Sequence, residues 1–140
     1  MKHPKKIYDH IHLIPPQEYN IIPFYKVSDV LLTEASSTIY EMLACGKPVI
    51  VNRFFKLKLS HRIFRKRLYK KRLDQQMEKD ISNFCFEAHK PSDIPMAIDS
   101  ALHNFDSKKI EMNRYQENML FKLDGLSAQR VKNILLSYKR

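Results

Sequence analysis

The pattern of apolar and polar positions along the chain is read most easily between residues 30 and 51. Val30-Leu31-Leu32 and Pro48-Val49-Ile50-Val51 are continuous apolar runs of the kind required of parallel strands buried on both faces. Between them, Glu34-Ala35-Ser36-Ser37 interrupts the first run, Thr38 to Leu43 carries helix-forming residues, and Cys45-Gly46 ends the helix with glycine where a left-handed C-terminal cap needs it. The pattern predicts a βαβ unit. Its loop, with Ser36 and Ser37, falls at the C-terminal end of a strand and the N-terminus of a helix. Unpaired N–H groups and the helix dipole favour an anion there, most often a phosphate, and open α/β sheets bind their ligands at that edge.

The flanking pattern extends this unit. Ile11-His12-Leu13-Ile14 reads as a short strand stopped by Pro15-Pro16. Asn20 is placed to cap a helix through Val27, with Pro23 in the first turn, where its missing N–H costs little. Ser28-Asp29 closes that helix. Downstream, Phe84-Cys85-Phe86 reads as a strand and Ser92 as the cap of a helix that packs back on the sheet. Glu111 to Lys122 and Leu126 to Tyr138 read as two further helices, the last amphipathic through Val131, Ile134, Leu135 and Tyr138. The expected fold class is α/β: a Rossmann-like, doubly wound parallel sheet with C-terminal helices, in one domain spanning residues 1–140. Only two glycines, Gly46 and Gly125, occur, which excludes a Walker A loop or a GxGxxG fingerprint.

Composition adds a compartment and a charge pattern. Apolar residues make up 44%, as in a globular chain. No run approaches the roughly 18 apolar residues of a membrane span and no signal peptide opens the chain, so the cytoplasm is expected. Cys45 and Cys85 both lie in apolar segments and are read as buried thiols rather than a disulfide or metal pair. The net charge of +10 is concentrated: Arg53 to Arg72 holds ten of the 25 basic residues and none of the 15 acidic ones. A near-neutral domain therefore carries one strongly basic helical insertion, at about residues 53–80.

Two phrases carry a family resemblance. Ser28-Asp29-Val30-Leu31-Leu32-Thr33-Glu34-Ala35-Ser36-Ser37 with Lys47-Pro48-Val49 is one, and Asp124-Gly125-Leu126-Ser127-Ala128-Gln129-Arg130 is the other. With His3-Pro4 and Lys6 upstream, they resemble the C-terminal, donor-binding half of a GT-B type transferase, and more narrowly the CDP-glycerol glycerophosphotransferase family of teichoic acid synthesis. Glu34-Ala35 stands where that family has Asp-Tyr, and Lys6 where it commonly has Arg. The resemblance implies a donor of the CDP-glycerol type, a membrane-linked cell-wall polymer as acceptor, no further cofactor, and a peripheral place on the inner face of the cell membrane. It also implies an acceptor half that would lie upstream of Met1 and supply the catalytic-base histidine, so this chain alone is expected to bind donor weakly and not to catalyse transfer. A UDP-sugar glycosyltransferase is the alternative within the same fold. A basic membrane- or nucleic-acid-binding module without chemistry is the alternative outside it.

The candidate residues follow from pattern and resemblance together. Ser36 and Ser37, with Thr33 and Thr38, are the donor-phosphate candidates, and an ordinary N-cap is the alternative reading of the serine pair. Glu34 and Glu41 are candidates for the nucleotide ribose. No catalytic residue is certain; His3 is the possible one and could also contact the donor phosphate, a surface histidine at a frayed end being its other reading, while Lys6 and Arg130 are possible phosphate contacts and Arg130 reads equally well as half of a structural ion pair. No histidine has ligand spacing, and no metal is proposed. The ten cations of the basic segment are Arg53, Lys56, Lys58, Arg62, Arg65, Lys66, Arg67, Lys70, Lys71 and Arg72. Interleaved with Phe54, Phe55, Leu57, Phe64 and Leu68, they suit an anionic membrane surface, with a solvated helix face and nucleic acid as the other readings and nucleic acid ranked last.

Overall fold

The computed structural model describes residues 10–54 and 75–138. In chain order these form α1 (Ile22–Val27), β1 (Leu31–Thr33), α2 (Thr38–Ala44), β2 (Val49–Asn52), α3 (Gln75–Phe84), β3 (Phe86–Ala88), a 3-10 turn (Pro91–Asp93), α4 (Ile94–His103), α5 (Asp106–Leu120) and α6 (Ser127–Ser137). The strands pair in sequence order, β1-β2-β3, and all are parallel. Leu32 stands opposite Ile50, and Ile50 opposite Phe86.

That register sorts the side chains to two faces, because successive strand residues point opposite ways. Leu31, Val49 and Val51 join Tyr25 of α1, Ile39, Met42 and Leu43 of α2, Ile81 and Phe84 of α3 and Met112 of α5 in one core. Ile50, Phe86 and Ala88 turn to the other face and meet Ile94, Ala97, Ile98 and Ala101 of α4. Two alanines at i, i+4 spacing let α4 lie close over the sheet. α2 and α3, which precede β2 and β3, both contribute to the first core, as a sequential parallel order requires when its crossovers share one hand. The result is a small α/β domain of the generic Rossmann-like kind, a three-stranded parallel sheet with helices on both faces.

Local chemistry explains the short helices. Asn20 Oδ1 accepts the N–H of Ile22 at 3.1 Å, and Pro23 sits in the first turn of α1. Gly46 takes φ +66°, the left-handed conformation expected after α2. The carbonyl ends of three helices are closed by side chains from elsewhere. Lys47 Nζ donates to the carbonyls of Tyr25 (3.2 Å), Lys26 (2.6 Å) and Ser28 (2.7 Å) at the end of α1. Gln116 Nε2 donates to Leu43 in α2, and Lys108 Nζ to Ser82 and Asn83 in α3.

Several expectations are corrected. Residues 11–14 form no strand. No described strand pairs with them, and Ile11, Leu13 and Ile14 are left exposed. The third strand is β3 at Phe86–Ala88 rather than residues 84–86, because Phe84 is claimed by α3 and packs on Tyr115 at 4.9 Å between ring centroids. Ser92 caps nothing; Asp93 Oδ2 instead accepts the N–H groups of His89 and Lys90. α5 begins at Asp106, five residues before the expected Glu111. Cys45 is exposed at the end of α2, while Cys85 is buried as expected, and burial pushes its thiol up to about 12. Of the basic insertion, residues 55–74 lie outside the described residues, and α3 covers its acidic end.

Two substitutions test this framework by urea denaturation. Lys47→Met removes three charge-assisted hydrogen bonds and is expected to cost about 2 kcal/mol. Gly46→Ala has no neighbouring atom to clash with, so only the left-handed backbone opposes it, at about 1 kcal/mol.

Candidate functional site

The C-terminal ends of the parallel strands bring Thr33, Asn52 and Ala88 to one edge of the sheet. At β1, three hydroxyls converge. Ser36 Oγ and Thr38 Oγ1 lie 2.6 Å apart, Thr33 Oγ1 and Thr38 Oγ1 3.2 Å, and Thr33 Oγ1 and Ser36 Oγ 3.5 Å. The β1 register turns Thr33 to the α2 side, and the turn through Ala35 and Ser36 swings the chain back over it. Ser36 and Ser37 carbonyls accept the first helical bonds, from Ile39 at 3.2 Å and Tyr40 at 3.0 Å.

Ser37 occupies the cap position, yet it has helical backbone angles and its side chain caps nothing. The ordinary N-cap reading therefore does not describe Ser37. Ser37 is exposed, whereas Thr33, Ser36 and Thr38 are half-buried. Three hydroxyls that bond one another in a ring can each rotate a proton toward an incoming oxygen, so the cluster is suited to an anion or a polyol.

The two glutamates separate. Glu34 is exposed beside the hydroxyl cluster. Glu41 Oε2 accepts the hydroxyl of Tyr25 at 2.9 Å, which ties α2 to α1. Burial, with the Glu41 carboxylate beside it, pushes the Tyr25 hydroxyl up to about 12. Tyr25 is thus a fixed neutral donor, and Glu41 has a structural task.

Arg53 leaves β2 at the same edge and turns toward β3. Its Nε (3.1 Å) and Nη2 (2.7 Å) both donate to Glu87 Oε1, which also accepts from Ser82 Oγ at 2.8 Å. His89 Nε2 lies 3.3 Å from the other Glu87 oxygen. Burial opposes the charge on Glu87, but the bonds from Arg53 and Ser82 outweigh it and hold the carboxyl below its ordinary value. Arg53, read from the sequence as a membrane contact, is therefore occupied in joining β2, β3 and α3. Asn52, which the sequence reading passed over, ends the central strand with an enclosed carboxamide oxygen that has no partner among the described residues. A polar residue closing an apolar strand was the available signal.

Arg130 pairs with Asp124 and lies 5.6 Å from the centroid of the Phe121 ring. That pair closes the turn through Gly125 (φ +74°) and flanks Phe121, whose own φ of 60° is strained for a bulky residue. The ion-pair reading of Arg130 is the one found. His3, Lys6, Lys56, Lys58, Arg62, Arg65, Lys66, Arg67, Lys70, Lys71 and Arg72 lie outside the described residues. Among the described residues no three His, Cys, Asp or Glu side chains converge as metal ligands would.

The Glu87 cluster predicts a pH dependence. A carboxyl whose folded pKa is depressed contributes stability above its unfolded pKa, near the ordinary value of 4.5, and loses it as pH falls further. Glu87→Gln is expected to cost about 1–2 kcal/mol at pH 7. The gap from the parent protein should narrow as pH drops from about 5 toward 3, measured by chemical denaturation at each pH.

No family model, curated protein or solved structure matches this chain.

Proposed function

We propose that this chain is the donor-binding portion of a GT-B type transferase that moves glycerol phosphate, or a related polyol phosphate, from a CDP-activated donor to a membrane-linked cell-wall polymer. One observation carries the reading: the Thr33-Ser36-Thr38 hydroxyl ring lies at the C-terminal end of a parallel strand and the start of a helix, inside the phrase that resembles the glycerophosphotransferase family.

In the proposed complex the donor pyrophosphate lies against Ser36, Ser37 and Thr38, whose hydroxyls and N–H groups offset its charge. The acceptor hydroxyl attacks the donor's β-phosphorus. A new P–O bond forms to the acceptor, the bond to the bridging oxygen breaks, and CMP leaves with that oxygen and its negative charge. Donors aimed at the leaving phosphate stabilise the charge as it grows. Glu34 stands ready for the ribose hydroxyls, while Glu41 positions the helix through Tyr25. The acceptor half and its proton-accepting histidine come from another polypeptide segment, and the basic segment brings the enzyme to the inner face of the membrane.

Amide NMR titration of the purified chain with CDP-glycerol, CMP, UDP and UDP-N-acetylglucosamine tests this reading. Shifts centred on Thr33 to Glu41, strongest with the cytidine ligands and weakened about tenfold in Ser36→Ala/Ser37→Ala, are expected. A uridine preference would move the assignment to a sugar transferase. Absence of shifts with every nucleotide, from folded protein, would overturn it.

A further inference from the structure

α6 is a helix without a described partner for its apolar side. None of its residues is buried. Val131, Ile134, Leu135 and Tyr138 remain 56%, 56%, 63% and 81% exposed. At 100° per residue these four fall within a stripe about 100° wide, the face an amphipathic helix normally buries. Leu123 and Leu126 lead into it and are exposed as well.

The charge around the stripe is one-sided. Leu126 to Arg140 contains Arg130, Lys132, Lys139 and Arg140 and no acidic residue. Lys132 lies roughly 100° from the centre of the stripe on one side, and Arg130, about as far on the other, is half-buried against Phe121. Asp124 engages Arg130; no described acid pairs with Lys132. An aliphatic stripe bordered by Lys132, in a segment with four cations and no acid, has the character of an interfacial helix, whose apolar side enters the acyl boundary while its cations stay among phosphate headgroups.

We infer that α6 docks on an anionic lipid bilayer through the Val131-Ile134-Leu135-Tyr138 stripe. The competing occupants fit less well. Nucleic acid would neutralise the cations but leave the aliphatic stripe in water. A second copy of α6 would bring two acid-free cationic segments together over four side chains a side, far below the area of a stable interface. With 11 residues, α6 is also too short to cross a bilayer. The inference stands on α6 alone and does not depend on the nucleotide site or the basic segment.

The chain has no tryptophan, so Tyr138→Trp gives a single reporter at the end of the stripe. The full chain carrying it is mixed with vesicles of phosphatidylglycerol and phosphatidylcholine, and with vesicles of phosphatidylcholine alone. A blue shift of the tryptophan emission is expected with the anionic vesicles only, weakened at high salt. Adding Val131→Ser/Ile134→Ser/Leu135→Ser should lower vesicle affinity about tenfold. These side chains are exposed, so the amide spectrum of the core should not change. Two results would overturn the inference. One is vesicle sedimentation without a blue shift, which would place the contact elsewhere in the chain. The other is a lipid-independent blue shift that grows with protein concentration, which would make α6 a self-association surface.

Discussion

Unsatisfied carbonyl groups at the ends of short helices are the constraint on which much of this structure depends. The last four carbonyls of any helix lack an intrahelical partner. In α1, with six residues, and α2, with seven, that is most of the helix. Helices this short are not stable alone. Lys47, Gln116 and Lys108 answer the demand from outside, and Gln116 does so from 73 residues away. Each cap is therefore also a tertiary tie. Lys47 precedes β2, so closing α1 fixes that helix to the strand pair. Gln116 fixes α5 to α2, and Lys108 fixes α5 to α3. Elements too short to fold singly become stable because each supplies what another lacks.

The candidate site inherits its geometry from these ties. Tyr25 is buried under α2 and donates to Glu41, and Lys47 holds the end of α1, so α1, β1 and α2 are tied together. The hydroxyls of Thr33, Ser36 and Thr38 are thereby held on a strand end and a helix start, without contacts from a long loop. Arg53 and Glu87 do the equivalent at β2 and β3. One edge of the sheet is thus polar and internally bonded, while the apolar interior lies behind it. A preorganised polar edge of this kind is the arrangement that loses least entropy on taking up a charged ligand.

How much of this was legible depended on the range of the interaction concerned. The βαβ unit from Leu31 to Asn52 was readable because its signals are local: two apolar runs, and glycine at the one left-handed position. The hydroxyl cluster was readable for the same reason, since its members lie within five residues. Residues 11–14 misled because an apolar tetrapeptide does not announce whether a partner strand exists. β3 was misplaced by two residues because Phe84-Cys85-Phe86 fits a helix end as well as a strand, and the ring of Tyr115 decided the matter. Glu41 and Lys47 lie beside the Ser36-Ser37 phrase, and only the structure reveals that they serve α1. Caps made across 19 or more residues leave no periodicity to read.

Charge placement follows a different logic from the fold. The stretches 53–72 and 126–140 together hold 14 of the 25 cations and none of the acids, so the rest of the chain carries 11 basic against 15 acidic residues. The cations that bear on folding are few and individually engaged: Lys47 and Lys108 on carbonyls, Arg53 on Glu87, Arg130 on Asp124. A cation bound at contact distance within the fold is less affected by salt than one acting on a distant anionic surface, which is screened within about 8 Å at physiological ionic strength. Salt therefore separates the two sets. On the proposed reading, salt weakens the attraction of the basic stretches to an anionic surface and leaves the short-range bonds at the sheet edge in place.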